Sequence, residues 1–416
     1  MSEYPKTLKV SNVRSGTVLA FPKALTTPLP DNTVVRSEAL YTLLRCLLDF
    51  GRDQLDFVTN GVHINENIQP QPVFPPAQPF NVFADKIRYD LDIFSSAIHQ
   101  RTNETLILSK SNFSPVATLE NADVYADMLL SPAVNAGLIP PVTPITYYQQ
   151  RYCARVIPYA PVALIGIPFT ATGVLRNLAL VAHEVGHYVY SRMHAPGLSI
   201  AEIPTWMRAW WEEIFADVYG CLVGGPLTAS ALLTFQGDLA LKDLSYDDGE
   251  YPIPILRPTI FLATLRRMTH AAKEAGLLRE TEYLKEWLAI LETEGSVWRT
   301  EAPDWNAVTM RNGQHMSIAQ ATVWLNRAVD ILLSDGILGS LLPPNSAIHL
   351  WDTAAESSYI STDGMDAAET VRGQIISGLE QHEGKSGWNL PLLAFWGAES
   401  WATKGPGPGN PQPTGR

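Results

Sequence analysis

Cysteine is scarce in this sequence. The 416 residues contain only Cys46, Cys153 and Cys221, which are far apart and form no Cys-x-x-Cys pair. A disulfide framework needs an even set of cysteines at regular spacings, and a cysteine zinc site needs paired ones. We therefore expect three buried thiols, as in a cytoplasmic protein, and no metal site made of cysteines.

Positive charge is also scarce. The chain has 30 Lys and Arg residues against 42 Asp and Glu residues, which gives a net charge of −12. Nucleic-acid binding requires clustered Lys and Arg to contact the phosphates, and the sequence has no long basic run. We therefore expect no nucleic-acid partner. The sequence also has no internal repeat and no glycine-rich phosphate loop.

Long apolar runs are missing as well. No uncharged apolar stretch reaches the roughly 18 residues that mark a transmembrane helix. The first residues, Met1 to Lys6, lack the apolar segment of a secretory signal. These features predict a cytoplasmic protein without a membrane partner. The sequence leaves the oligomeric state open.

The composition that remains is that of a globular protein. Hydrophobic residues make up 46% of the chain and charged residues 17%, which favours a well-buried core over disorder. We predict an α+β fold that is mainly helical. We divide the chain into a mixed α/β region (1–150), a core (151–225), a helical region (226–402) and a Gly/Pro-rich tail that we expect to be disordered (403–416).

Hydrophobic periodicity predicts the elements. Helices are expected over 36–59, 83–100, 119–130, 172–193, 204–223, 227–236, 257–276, 279–295, 316–335, 364–381 and part of 391–402. Strands are expected within 1–35, at 105–109 and over 155–169. Proline-rich connections are expected over 60–82 and 137–146.

The helix over 172–193 contains His183-Glu184-x-x-His187. Residues four positions apart lie on one helix face, so the two imidazoles can reach one cation. Glu184 lies on the flank of that face, where it can touch a water held by the metal. This is the HExxH pattern of zinc hydrolases, in which the glutamate is the general base. The same pattern could arise from two ordinary helix histidines beside a surface glutamate. The helix is apolar, however, and burying unpaired histidine and glutamate side chains in it would be costly.

A catalytic zinc ion needs a third protein ligand and an open position for water. The metzincin pattern HExxHxxGxxH is absent, because Tyr190 and Met193 stand where it requires glycine and histidine. Glu213 and Asp217 share a face of the next helix, in Glu-x-x-x-Asp spacing. Glu212 is the alternative ligand, but only Glu213 has an aspartate four positions later.

Together the two motifs resemble those of the gluzincins, the thermolysin-like zinc metallopeptidases. The resemblance covers roughly residues 160–225 and implies a zincin-like core with a small mixed sheet and an active-site helix. It implies one zinc ion per chain, held by His183, His187 and Glu213, with Asp217 orienting a ligand histidine and Glu184 as general base. It also implies an oxyanion donor after the third ligand; Tyr251 and Arg257 are the first candidates, followed by Tyr246, His270 and His315.

The resemblance further implies an edge strand that binds an extended peptide just before the HExxH helix, and residues 162–167 are predicted for that role. An ordinary buried strand is the alternative for this segment. The expected activity is cleavage of peptide bonds. Two other hypotheses remain: a zinc enzyme that acts on a non-peptide small molecule in biosynthesis, and a non-catalytic zinc-binding scaffold. The presence of Glu184, which is not needed to bind metal, disfavours the scaffold.

Overall fold

The computed structural model describes residues 34–64, 77–102, 115–171, 178–193, 203–237, 244–301, 307–334 and 337–342. The chain divides into two compact units, Met1–His194 and Ala195–Arg416. We call them the N-terminal and the C-terminal unit and describe each by itself. The mainly helical α+β class is confirmed, since one three-stranded and one two-stranded sheet accompany the helices.

The described residues of the N-terminal unit include four α-helices. They are α1 (Val34–Ile64), α2 (Ala77–Thr102), α3 (Pro115–Asn135) and α4 (Val181–Arg192). The predictions over 36–59, 83–100 and 119–130 are confirmed by α1, α2 and α3. Helix α4 carries the HExxH pattern and ends at the predicted place, with Met193 as C-cap. Its predicted beginning, at residues 172–177, lies outside the described residues.

The sheet of this unit has three strands in the order β1–β3–β2. They are β1 (Thr143–Gln149), β2 (Cys153–Val156) and β3 (Val162–Pro168). Strand β3 pairs with β1 in parallel and with β2 in antiparallel register. It is therefore the central strand, and its residues Val162 to Ile167 are buried.

The prediction that residues 162–167 form an edge strand is wrong. That prediction depended on nearby prolines, which are excluded from the middle of a sheet. Pro158 and Pro161 lie outside the strands, however, and Pro168 is the last residue of β3. None of them interrupts the central ladder, so the strand is buried, as in the alternative interpretation.

Strand β1 lies where a proline-rich connection was expected. It contains Pro144, which is tolerated because β1 is an outer strand. Side chains cover the outer backbone edge of β1: the Gln100 amide bonds both backbone groups of Tyr148, and Arg101 and Asp123 bond those of Thr146. Such covering satisfies the polar groups that an outer strand exposes.

The core of the N-terminal unit joins α1 and α2 to the sheet. Its largest fully buried members include Leu43, Leu44, Leu47 and Phe94, which pack with residues of β1 and β3. Helix α4 packs on the other elements of its unit through contacts with α3, β2 and β3. The helix that carries the two histidines is thus supported along its length by a buried core.

The described part of the C-terminal unit is mainly helical. It contains α5 (Trp211–Gly237), α6 (Arg257–Glu274), α7 (Leu278–Glu301) and α8 (Ile318–Leu332), with a hairpin of β4 (Ala307–Thr309) and β5 (His315–Ser317). Helix α6 is central, since α5, α7 and α8 all pack against it. The helices predicted over 257–276, 279–295 and 316–335 are confirmed, whereas the hairpin was not predicted.

Helix α5 changes direction at the predicted stop signal. It follows a 3₁₀ turn at Thr205–Trp210, which begins directly after Pro204. Gly225 interrupts the helix with φ 66° and ψ −160°, and Pro226 begins its second part. That conformation is accessible mainly to glycine, so Gly225 permits the bend. Within the described residues one stretch, Thr205–Leu233, is long and apolar enough to span a membrane, and 89% of its apolar 18-residue window is buried inside the protein.

The predictions within 1–33, at 105–109, 364–381, 391–402 and 403–416 lie outside the described residues. The three cysteines are free thiols. The expected burial is confirmed for Cys221, whereas Cys46 and Cys153 are only half-buried.

Candidate metal centre

The two histidines of α4 point the same way. Their Nε2 atoms are 3.1 Å apart, and the rings meet edge to face at an interplanar angle of 90°. His183 is buried and His187 half-buried. One turn of helix separates the two residues, so the i, i+4 spacing brings both nitrogens to one point, as the sequence predicted.

Glu184 lies in the first turn of α4 and only 8% of it is exposed. The side chain of Tyr152, at the turn before β2, is close enough to Glu184 for the carboxylate to affect the pKa of the phenol. Burial raises the pKa of Tyr152, and the Glu184 carboxylate raises it further. The phenol therefore stays protonated and is an O–H donor near the general-base candidate. Tyr152 was not among the predicted site residues, and no local motif marks it.

Helix α5 presents the predicted third ligand. Glu213 is buried, whereas its neighbour Glu212 is exposed. Both lie in the first turn of the helix, where the partial positive charge of the helix N-terminus stabilises a carboxylate. Asp217, one turn later, is fully buried. The burial difference favours Glu213 over the alternative ligand Glu212.

Arg257 holds the two buried carboxylates of α5. Its Nε donates to Asp217 Oδ2 at 2.6 Å and its Nη2 to Asp217 Oδ1 at 2.7 Å. The same Nη2 lies 3.4 Å from Glu213 Oε2. Burial alone would lower the pKa of Arg257, but Asp217, Glu213 and Tyr251 together raise it. The guanidinium thus stays charged inside the unit. The bond predicted from Asp217 to a ligand histidine stays a prediction.

His183, His187 and Glu213 form a group that is able to hold a metal ion. Each residue offers one ligand atom, and these atoms all lie within 4.8 Å of one another. Two histidines and one glutamate are a ligand set of catalytic zinc sites, which leave a fourth position for water. With Zn–N bonds of about 2.0–2.1 Å, two nitrogens of a tetrahedral site are about 3.3 Å apart. The 3.1 Å between the two Nε2 atoms fits that geometry.

The oxyanion candidates occupy different surroundings. Tyr251 is 45% exposed and near enough to Arg257 to affect its pKa. Tyr246 is exposed; His270 faces Glu274 on the surface of α6, and His315 Nδ1 lies 3.0 Å from the Thr309 hydroxyl in the hairpin. The side chain of Arg257 contacts a member of the ligand group, since its Nη2 lies 3.4 Å from Glu213 Oε2. The oxyanion role of each stays a prediction.

Comparison of this chain with protein-family models, with curated proteins and with solved structures gave no match. The geometry of the site therefore carries the functional argument, and the gluzincin resemblance stays an interpretation of the two motifs.

Proposed function

We propose that this protein is a zinc-dependent hydrolase, with peptide bonds as the substrate class. The observation that carries the proposal is the group of His183, His187 and Glu213, whose ligand atoms lie within 4.8 Å of one another. A helix that places a buried glutamate directly after the first of two paired histidines adds a proton acceptor to that group.

The chemistry follows from the roles of the side chains. Zinc bound by the three ligands would supply a water of lowered pKa and a positive charge for the attacked carbonyl oxygen. Glu184 would accept a proton from that water and later deliver it to the leaving amine. Tyr152, protonated beside Glu184, is a donor able to orient this carboxylate.

A peptide substrate is favoured by the position of β2, an outer strand of the three-stranded sheet. Strand β1 is covered by side chains along its outer edge, and β3 is central. Strand β2 is the other outer strand, and it packs against α4, the helix of His183 and Glu184. An extended peptide added to β2 would run beside that helix with main-chain hydrogen bonds.

The test is hydrolysis of a mixed peptide library, followed by mass spectrometry of the products. We expect cleavage that stops with a chelator and returns with zinc. Glu184→Gln should keep the zinc and lose about 10²- to 10⁴-fold in rate, because it removes the proton acceptor. Glu212→Gln, which changes the exposed neighbour of Glu213, is the matched control and should remain active.

Two other outcomes of the hydrolysis test would contradict parts of the proposal. Full activity of Glu184→Gln would contradict the hydrolytic mechanism. Zinc binding without any cleaved peptide would contradict the peptide substrate and favour a non-peptide substrate or a scaffold. Loss of cleavage with peptides N-methylated at the backbone is expected if the substrate pairs with β2, because methylation removes the N–H donors.

A further inference from the structure

One arginine nitrogen joins the two buried carboxylates of α5. Nη2 of Arg257 bonds Asp217 at 2.7 Å and lies 3.4 Å from Glu213, while Nε bonds the second oxygen of Asp217. The guanidinium is therefore held firmly by Asp217 and loosely by Glu213. A loose contact leaves Glu213 able to act as a metal ligand.

The carboxylates of Glu213 and Asp217 require a counter-charge, and Arg257 supplies it. Glu213 and Asp217 are like charges one turn apart on the same face, and each is at least nine-tenths buried. Without a counter-charge they would repel and rotate apart. Arg257 supplies that charge from a fixed place, because it is the first residue of α6, the helix around which the C-terminal unit packs.

We infer that Arg257 is a positioning residue for the metal centre: through its two bonds to Asp217 and its shared Nη2, it holds the Glu213 carboxylate where it serves as the third ligand. This inference rests on the proposed function, in which Glu213 binds the zinc ion.

The charge of Arg257 and its positioning of Glu213 should have opposite effects on the zinc affinity. A positive charge near a cation site weakens cation binding, so a purely electrostatic role predicts that Arg257 lowers the zinc affinity. Positioning predicts that it raises the affinity. Arg257→Lys separates the two, because lysine keeps the charge but lacks the fork that holds both oxygens of a carboxylate.

The experiment measures the zinc dissociation constant of the full-length protein by competition with a fluorescent chelator. We expect Arg257→Lys to weaken zinc binding by roughly tenfold or more, the size typical of residues that orient metal ligands. Arg266→Lys makes the same exchange in α6 at an exposed pair with Glu292, and it should bind zinc as the wild type does. Thermal melting of the zinc-free proteins checks that the variants are folded.

Asp217→Asn provides the second variant. It removes the charge that anchors the arginine fork, and it should also weaken zinc binding. In the double variant with Arg257→Lys, the loss should be smaller than the product of the two single effects, because both changes break one pair.

Arg257→Lys with unchanged or tighter zinc binding would overturn the inference while leaving the proposed function intact. Independent effects of the two substitutions would overturn it as well. A wild-type protein that binds no zinc would contradict the proposed function itself, and the inference with it.

Discussion

The side chain of Gln100 pairs with both backbone groups of Tyr148. Its amide nitrogen donates to the Tyr148 carbonyl oxygen at 2.8 Å, and its amide oxygen accepts from the Tyr148 N–H at 2.6 Å. A side-chain amide thus takes the place of a neighbouring strand along β1. The pairing joins α2 to the sheet and occupies backbone groups that an uncovered edge strand would offer to another chain.

Gln100→Ala should destabilise the N-terminal unit by about 1–3 kcal/mol, because it leaves two strand groups without their partners. Urea unfolding followed by circular dichroism measures the change. Gln100→Glu keeps the acceptor for the Tyr148 N–H but sets a second carboxylate oxygen against the Tyr148 carbonyl oxygen, so it should also be less stable than the wild type. Gln314→Ala, at an exposed position, is the control. Equal stability of Gln100→Ala and the control would show that the edge pairing contributes nothing.

A buried ion pair next to that edge should contribute more to the stability of the unit than the Gln100 pairing does. Arg101 Nη1 lies 2.8 Å from Asp123 Oδ2, and both side chains are less than a tenth exposed. Asp123 also accepts from the Thr146 backbone N–H. Asp123→Ala should cost about 3–5 kcal/mol, since it leaves a buried guanidinium without its counter-charge.

The matched comparison is the exposed pair of Arg266 and Glu292. Glu292→Ala should cost no more than about 1 kcal/mol, because solvent screens such pairs. The two variants are compared by chemical unfolding at one pH. A similar loss in both would mean that burial does not determine the strength of the Arg101–Asp123 pair.

Alkaline pH should lower the stability of the N-terminal unit. Burial raises the pKa of Tyr159, and its hydrogen bond to Asp90 raises it further. A group whose pKa is higher in the folded state contributes stability below its unfolded pKa, which is about 10 for tyrosine. That contribution is lost as the pH rises past this value, because the unfolded chain then ionises first.

Unfolding curves measured between about pH 8 and pH 11 test this expectation. Stability should decline more gently in Tyr159→Phe than in the wild type. Parallel declines in the two proteins would assign the alkaline loss to other groups.

The sequence predicted which three side chains form the group able to hold a metal ion, because the signals for these residues are local. His183 and His187 follow from helical periodicity, and Glu213 follows from an aspartate one turn later, a choice that its burial supports. The long helices were also predicted, since their apolar faces repeat over many turns.

What the sequence missed depends on long-range pairing. The central place of β3 depends on strand order, which no local pattern encodes. Strand β1 was hidden by Pro144, which only an outer strand tolerates. The bonds from Arg257 to Asp217 join residues 40 positions apart, so the arginine was considered as an oxyanion donor and not as a partner of the carboxylates.

The metal content of the purified protein tests the central claim most directly. We expect one zinc ion per chain in the wild type, very little in His183→Ala and Glu213→Ala, and full content in Glu212→Ala, whose side chain is exposed. Elemental mass spectrometry with protein quantitation gives the ratio. Wild-type zinc content in both His183→Ala and Glu213→Ala would contradict the proposed metal centre.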